Sequence, residues 1–307
     1  VGVVEVGKGA ITIGAVAAAI SIAGLLSGAI RDLGTGFELW RRARVSFAKV
    51  ARALTLERSV PDIGAPRKIR SAGDGVSLQG VGVEGVLKDV SLEAGAGAIV
   101  LVVGESGAGK STLLALAARM RDPDRGRVRV NGVDLRRAAR TSVRRKIGVA
   151  SATTPLMRGS IAMNLRYRAP NASEGEINRV IEVCSLGPTL DRFSEREQAR
   201  LGEGARELSL GETQRLLIAR AMVDRPPVLI LDDVDSHLGG ESAARIAAEL
   251  QDYPGVVLMA ATSPAFRRIA TSIWRIEGGQ VVVADGPGNR VDVVQAKTDD
   301  ASAVVSS

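Results

Sequence analysis

A chain of 307 residues with 45% apolar and 24% charged residues can fill one large domain or two ordinary ones, which excludes a disordered polymer. A single cysteine, Cys184, excludes a disulfide framework and a multi-cysteine metal site; a single histidine, His237, excludes a multi-histidine centre, and no nucleophile-elbow pattern accompanies it. The net charge of +7 is gathered in residues 31–70 and 119–146, but only 3% of the chain is aromatic, which favours a solvated basic surface over a stacking platform for nucleic acid.

Ile11 to Ile30 runs without a charge, the length of one helical bilayer crossing. Its small residues Gly14, Ala17, Ala18, Gly24 and Gly28 suit close packing against other membrane helices. Only Lys8 is basic on the N-terminal side, whereas Arg31, Arg41, Arg42, Arg44, Lys49 and Arg52 follow, so the positive-inside bias places the C-terminal side in the cytoplasm. A buried soluble helix or a signal peptide is the competing reading of this stretch. The first residue is Val rather than Met, which leaves a fragment or an unusual start open.

Residues 31–58 read as the cytoplasmic continuation of the same helix, so that 1–58 forms one membrane-linked unit. Residues 59–76 contain Pro61, Pro66 and three glycines without helical periodicity and read as a linker. Strands are expected around 77–83 and 86–92, at the start of a domain over 77–287, and a mobile tail over 288–307.

The apolar run Ala98–Val103 leads into Gly104, Glu105, Ser106, Gly107, Ala108, Gly109, Lys110, Ser111 and Thr112, and an apolar helical run follows. A strand, a glycine-rich turn and a helix start in this order make a phosphate-binding P-loop. The glycines let backbone N–H groups close around phosphates, Lys110 reaches the same oxygens, and the Ser111 hydroxyl is placed to ligate Mg²⁺. Further on, Val228–Leu231 reads as a buried strand ending in Asp232 and Asp233. Beside a P-loop, Asp232 is placed to hold Mg²⁺ and Asp233 to orient an attacking water.

Between the two lies Leu208-Ser209-Leu210-Gly211-Glu212-Thr213-Gln214-Arg215, followed by an apolar helix with Ala219 and Arg220. Here the chain resembles the ATP-binding cassette family over about residues 78–285, and residues 9–58 look like the last membrane helix of an exporter subunit. Lys88–Leu92, Ile147–Val149, Gly159–Ile161 and Leu201–Glu203 are similar to further segments of that family. The resemblance implies an α/β P-loop NTPase fold preceded by one transmembrane helix, with a cytoplasmic ATP-binding domain at an inner or plasma membrane. It implies Mg-ATP held between the P-loop of one cassette and the signature of a second, to which Ser209 and Gly211 would contribute.

Several positions depart from the family pattern. Asp233 stands where the catalytic glutamate falls, Ala152 where a glutamine senses Mg²⁺, and Thr262 where a switch histidine contacts the γ-phosphate. Leu210 replaces a glycine, Glu212 a glutamine and Gly239 an aspartate, and no aromatic residue lies between Phe47 and Tyr167 to stack on adenine. A carboxylate at 212 is expected to repel phosphate. The expectation is an exporter-type ATP-binding subunit with impaired hydrolysis, working as a heterodimer with membrane helices on this or another chain. The alternatives are a regulatory or structural nucleotide-binding module that does not hydrolyse ATP, and a soluble P-loop protein acting on nucleic acid.

Overall fold

The computed structural model describes residues 12–55 and 66–285, and the chain divides into two compact units between Arg58 and Ser59. The first unit contains one helix, α1 (Ile13–Thr55), continuous through the expected junction at Ile30 and Arg31. Its stretch Gly14–Arg52 is long and apolar enough to cross a membrane. Ser21, Ser27 and Thr35 donate their hydroxyls to the carbonyls of Ala17, Ala23 and Arg31, so the helix backbone absorbs their polarity. Ile20, Ile22, Leu25, Leu26 and Ile30 are exposed on it, an apolar surface that suits lipid or other membrane helices better than water. The last residues of the expected cytoplasmic helix (56–58), the first part of the expected linker (59–65) and the expected tail (288–307) lie outside the described residues.

In the second unit, the described part of the expected linker is anchored rather than free. Arg67 forms a parallel bridge with Ala138, its amide donating to Arg137 O and its carbonyl accepting from Ala139 N, both at 2.7 Å. Ile69 is buried, and its amide donates to Ser142 Oγ at 2.8 Å. A single apolar residue in a polar, proline-containing run has no periodicity to announce such an anchor.

The chain then lays down β1 (Val76–Val83), β2 (Leu87–Ala94), β3 (Ile99–Val103), α2 (Lys110–Ala117), β4 (Arg125–Val130), β5 (Val133–Asp134), α3 (Arg140–Lys146) and β6 (Ile147–Ser151). A mainly helical stretch follows, with β7 (Gly159–Ser160), α4 (Ile161–Arg166), α5 (Glu174–Val183), α6 (Gly187–Asp191), β8 (Arg200–Leu201) and α7 (Leu210–Met222). The last elements are β9 (Val228–Asp232), α8 (Gly240–Gln251), β10 (Val256–Ala260), α9 (Pro264–Arg268), β11 (Ser272–Glu277) and β12 (Gln280–Asp285). One sheet is antiparallel, in the order β2-β1-β4-β5. The larger sheet has the order β12-β11-β3-β10-β9-β6 and is parallel except for β12.

The expected α/β fold therefore forms, and the apolar runs show why. Ile99 and Leu101 of β3 face one hydrophobic core while Val100 and Val102 face the other. Leu229 and Leu231 alternate in the same way with Val228 and Ile230 on β9. A strand buried on both faces has no polar positions to alternate with, so it reads as an unbroken Val/Ile/Leu run. Because β10 lies between β3 and β9, the carboxyl ends of all three open at one edge, the usual ligand crevice of a parallel sheet.

Candidate functional site

Residues 104–109 connect β3 to α2, and their glycines are required by conformation. Gly104 has φ 153°, and a Cβ there would lie 2.3 Å from Ile276 O. Gly109 has φ 109°, and a Cβ there would lie 2.7 Å from Leu87 Cδ2, at the start of β2. Lys110 Nζ donates to Gly104 O at 2.8 Å and Glu105 O at 2.7 Å, so the ammonium is folded into the loop.

The Ser111 hydroxyl donates to Asp232 Oδ1 at 3.1 Å, joining the start of α2 to the end of β9 across the crevice. Ser151, opposite Asp232 in the β6–β9 register, donates to Asp232 Oδ2 at 3.5 Å. Burial pushes the Asp232 carboxyl up, reinforced by the charge of Asp233 and opposed by the Ser111 and Ser151 hydroxyls and Lys110. Among the described residues no cluster of three or more His, Cys, Asp or Glu forms a metal site. Mg²⁺ takes few protein oxygens and keeps several waters, so a hydroxyl and a carboxylate converging as Ser111 and Asp232 do could hold it.

These groups line one cleft of about 730 Å³. Gly104, Ser106, Gly107, Gly109, Lys110, Ser111, Thr112, Asp232 and Asp233 all face it, as do Val86 and Thr262. Glu105 and Ala108 instead line an adjoining cleft on the other side of the loop. An aliphatic residue, Val86, borders the cleft at the β1–β2 turn.

Asp233 is exposed, with φ 52°, and its amide donates to Ala260 O at 3.0 Å. Thr262 is engaged elsewhere: its amide at 2.7 Å and its hydroxyl at 3.4 Å both reach Asp235 Oδ2, which also accepts from the Ser263 amide. Asp235 is buried, so this carboxylate ties the loop after β9 to the loop after β10.

Ser209 and Gly211 do not line this cleft. Ser209 caps α7, and Glu212 completes a capping box: its Oε2 accepts from Ser209 N at 2.8 Å and Ser209 Oγ at 2.9 Å. Thr189 Oγ1 donates to Glu212 Oε1 at 3.1 Å, and Arg192 Nη2 meets Oε2 at 2.9 Å. Burial works against the charged form of Glu212, yet the Ser209 amide and hydroxyl, Thr189 and Arg192 hold its carboxyl below the usual range. The carboxylate expected to repel phosphate is therefore satisfied by the protein itself. Leu210 is exposed at the start of the helix. A Cβ on Gly211 would lie 2.6 Å from His237 O. His237 ties its loop to α7, its amide donating to Gln214 Oε1 at 2.9 Å and Nδ1 lying 3.2 Å from Gln214 Nε2.

Cys184 is fully buried and its thiol is pushed up to about 12 by burial, as an apolar filler should be. Sequence reasoning missed Ser151 and Asp235. The first depends on the register of two strands whose paired residues are 81 apart in the sequence, and the second belongs to no phosphate-binding pattern. The Ser209–Glu212 spacing, by contrast, is itself a capping-box signal.

The ABC transporter family profile matches residues 87–236. The chain is 34% identical over 240 residues to the Beta-(1-->2)glucan export ATP-binding/permease protein NdvA of Rhodopseudomonas palustris, covering 77% of this chain and 40% of that protein. It is 33% identical over 266 residues to the protein of the same name from Rhizobium etli, covering 82% and 44%. The solved structure of a bacterial Atm1-family ABC exporter with ATP bound superposes with a TM-score of 0.70 at 25% identity, covering 80% of this chain and 44% of that one. The chain thus spans less than half the length of these relatives.

Proposed function

Residues 87–236 are an ABC transporter nucleotide-binding domain of the exporter type, and from that premise we propose that this chain binds Mg-ATP to drive an exporter. The observation that carries the reading is the Ser111–Asp232 contact at the mouth of the Gly104–Thr112 loop, which joins a phosphate cradle to a pair of oxygens suited to Mg²⁺. In this reading the loop amides and Lys110 hold the phosphates, Ser111 and Asp232 hold the metal, and Asp233 orients water. The metal, when bound, supplies neutralisation of the charge that develops on the phosphates.

Ser209 and Gly211 lie outside the chain's own cleft, which fits a role on ATP held by a second cassette. Residues 11–30 would cross the membrane, with their helical continuation over 31–58 and the ATP-binding domain, 77–287, on the cytoplasmic side. Hydrolysis by this chain is slow: the Asp233 carboxylate is one methylene shorter than a glutamate, Ala152 offers no ligand, and Thr262 is held by Asp235. A displacement of about 1 Å at a reacting centre costs on the order of a hundredfold. A heterodimer, with the intact glutamate and histidine on the partner, makes such losses tolerable.

A regulatory module that closes on ATP without turnover is the second reading, and the hydroxyl of Thr262 facing Asp235 favours it. ATP turnover of the chain alone and paired with candidate cassettes separates the two. Stimulated turnover in one pairing supports the motor, and none in any pairing sinks it. Lys110→Ala should weaken ATP-driven association with a partner, and unchanged association would count against nucleotide binding altogether.

A further inference from the structure

Arg267 belongs to no phosphate-binding pattern in the sequence, yet it stands at the rim of the phosphate loop. It lines the cleft of Lys110, Asp232 and Asp233, and it also lines the adjoining cleft of about 930 Å³ against Ile273 and Arg275. Val103, Gly104, Ser106 and Gly107 border both clefts with it, so its side chain lies where the loop divides them.

Its root is fixed and its head is free. Asp235 holds the Thr262 and Ser263 amides, the Arg267 amide donates to Ser263 O at 3.1 Å, and the adjacent Phe266 is buried. Arg267 itself is exposed, and among the described residues no ion pair or side-chain hydrogen bond engages its guanidinium. Arg275, the other cation of the adjoining cleft, has Glu277 at 3.9 Å. A guanidinium is always charged and matches phosphate oxygens with two parallel N–H donors.

Of the two cations lining this cleft, Lys110 is held by Gly104 O and Glu105 O within the loop, whereas the Arg267 guanidinium has no ion pair or side-chain hydrogen bond among the described residues. Thr262 is taken up by Asp235. We infer that Arg267 grips the outermost phosphate of a nucleoside triphosphate in this cleft, filling the gap left at Thr262. The inference rests on the nucleotide-binding reading above and adds to it a discrimination between triphosphate and diphosphate.

The test is a calorimetric titration of the full chain with Mg-ATP and with Mg-ADP, for wild type, Arg267→Ala, Arg267→Lys and Lys110→Ala. Loss of one charge-assisted contact should weaken Mg-ATP roughly tenfold in Arg267→Ala and Mg-ADP less than about twofold, with Arg267→Lys in between. Because Arg267 is exposed, its variants should keep the wild-type melting temperature. Wild-type affinity for both nucleotides in Arg267→Ala, alongside a loss in Lys110→Ala, would overturn the role of Arg267 and leave nucleotide binding standing. An equal loss for both nucleotides would overturn the outer-phosphate assignment. No binding by the wild-type chain would overturn the nucleotide reading itself.

Discussion

Replacing Glu212 by Gln restores the residue that the cassette signature leads one to expect, and the structure gives that change a sign that charge counting does not. The wild-type carboxylate receives donors from Ser209 N, Ser209 Oγ, Thr189 and Arg192. Glutamine can keep the capping box through its remaining oxygen, and its amide can face Thr189. What is lost is the pairing with Arg192, whose side chain is 52% exposed, worth about 0.5–1 kcal/mol, and the charge assistance to the other bonds, worth about another 1 kcal/mol. A total of about 1–2 kcal/mol should lower the melting temperature by roughly 3–6 °C in a domain of this size. ATP-driven association with a partner cassette should change by less than about threefold, because Arg192 already neutralises the charge removed. A gain above about tenfold would refute the reasoning by showing that the carboxylate faces phosphate unpaired; an unchanged melting temperature would refute the energetic weight given to the four bonds. The linkage has a definite sign. The folded-state carboxyl of Glu212 is held low, so its stabilisation is complete above the ordinary carboxylate range and is lost as the pH falls through the depressed folded value. The gap in melting temperature between wild type and Glu212→Gln should therefore close in acid.

Asp233→Glu should raise ATP turnover up to about a hundredfold in the best pairing if reach limits water activation, measured as kcat at saturating Mg-ATP; an unchanged kcat would remove reach as the limit. Asp235→Ala leaves the Thr262 and Ser263 amides without their acceptor and should cost about 2–3 kcal/mol, with faster hydrogen exchange at those two amides. Wild-type exchange at both would show that Asp235 does not hold the loop.

The candidate phosphate loop was legible because it is local. Gly104 to Thr112 are consecutive, and the chemistry of a phosphate cradle demands those residue types in that order. The φ of 153° at Gly104 and 109° at Gly109 explains two of them in terms the motif only summarises. The strands β3 and β9 were legible as apolar runs, but their places in the sheet were not, because each is buried on both faces and carries no mark of which strand lies beside it. Ser151 was lost for that reason, since only the β6–β9 register brings it opposite Asp232. The anchored part of the expected linker escaped because a single residue, Ile69, supplies its buried contact.

The departures from the family pattern carry a different lesson. Read one position at a time, Thr262 and Glu212 look like losses. In the fold each is half of a pair: Thr262 is held by Asp235, 27 residues away, and Glu212 by Arg192, 20 residues away. Both pairs satisfy the altered group from within the same chain, and neither supplies a group that could activate water. Glu212, half-buried, would cost about 1–3 kcal/mol if left without partners, and instead it accepts from the Ser209 amide and hydroxyl, Thr189 and Arg192. The altered positions have been absorbed into the packing while the phosphate loop keeps its full geometry. That combination supports the proposed reading, in which this chain holds Mg-ATP for an exporter and the water chemistry falls to a second cassette.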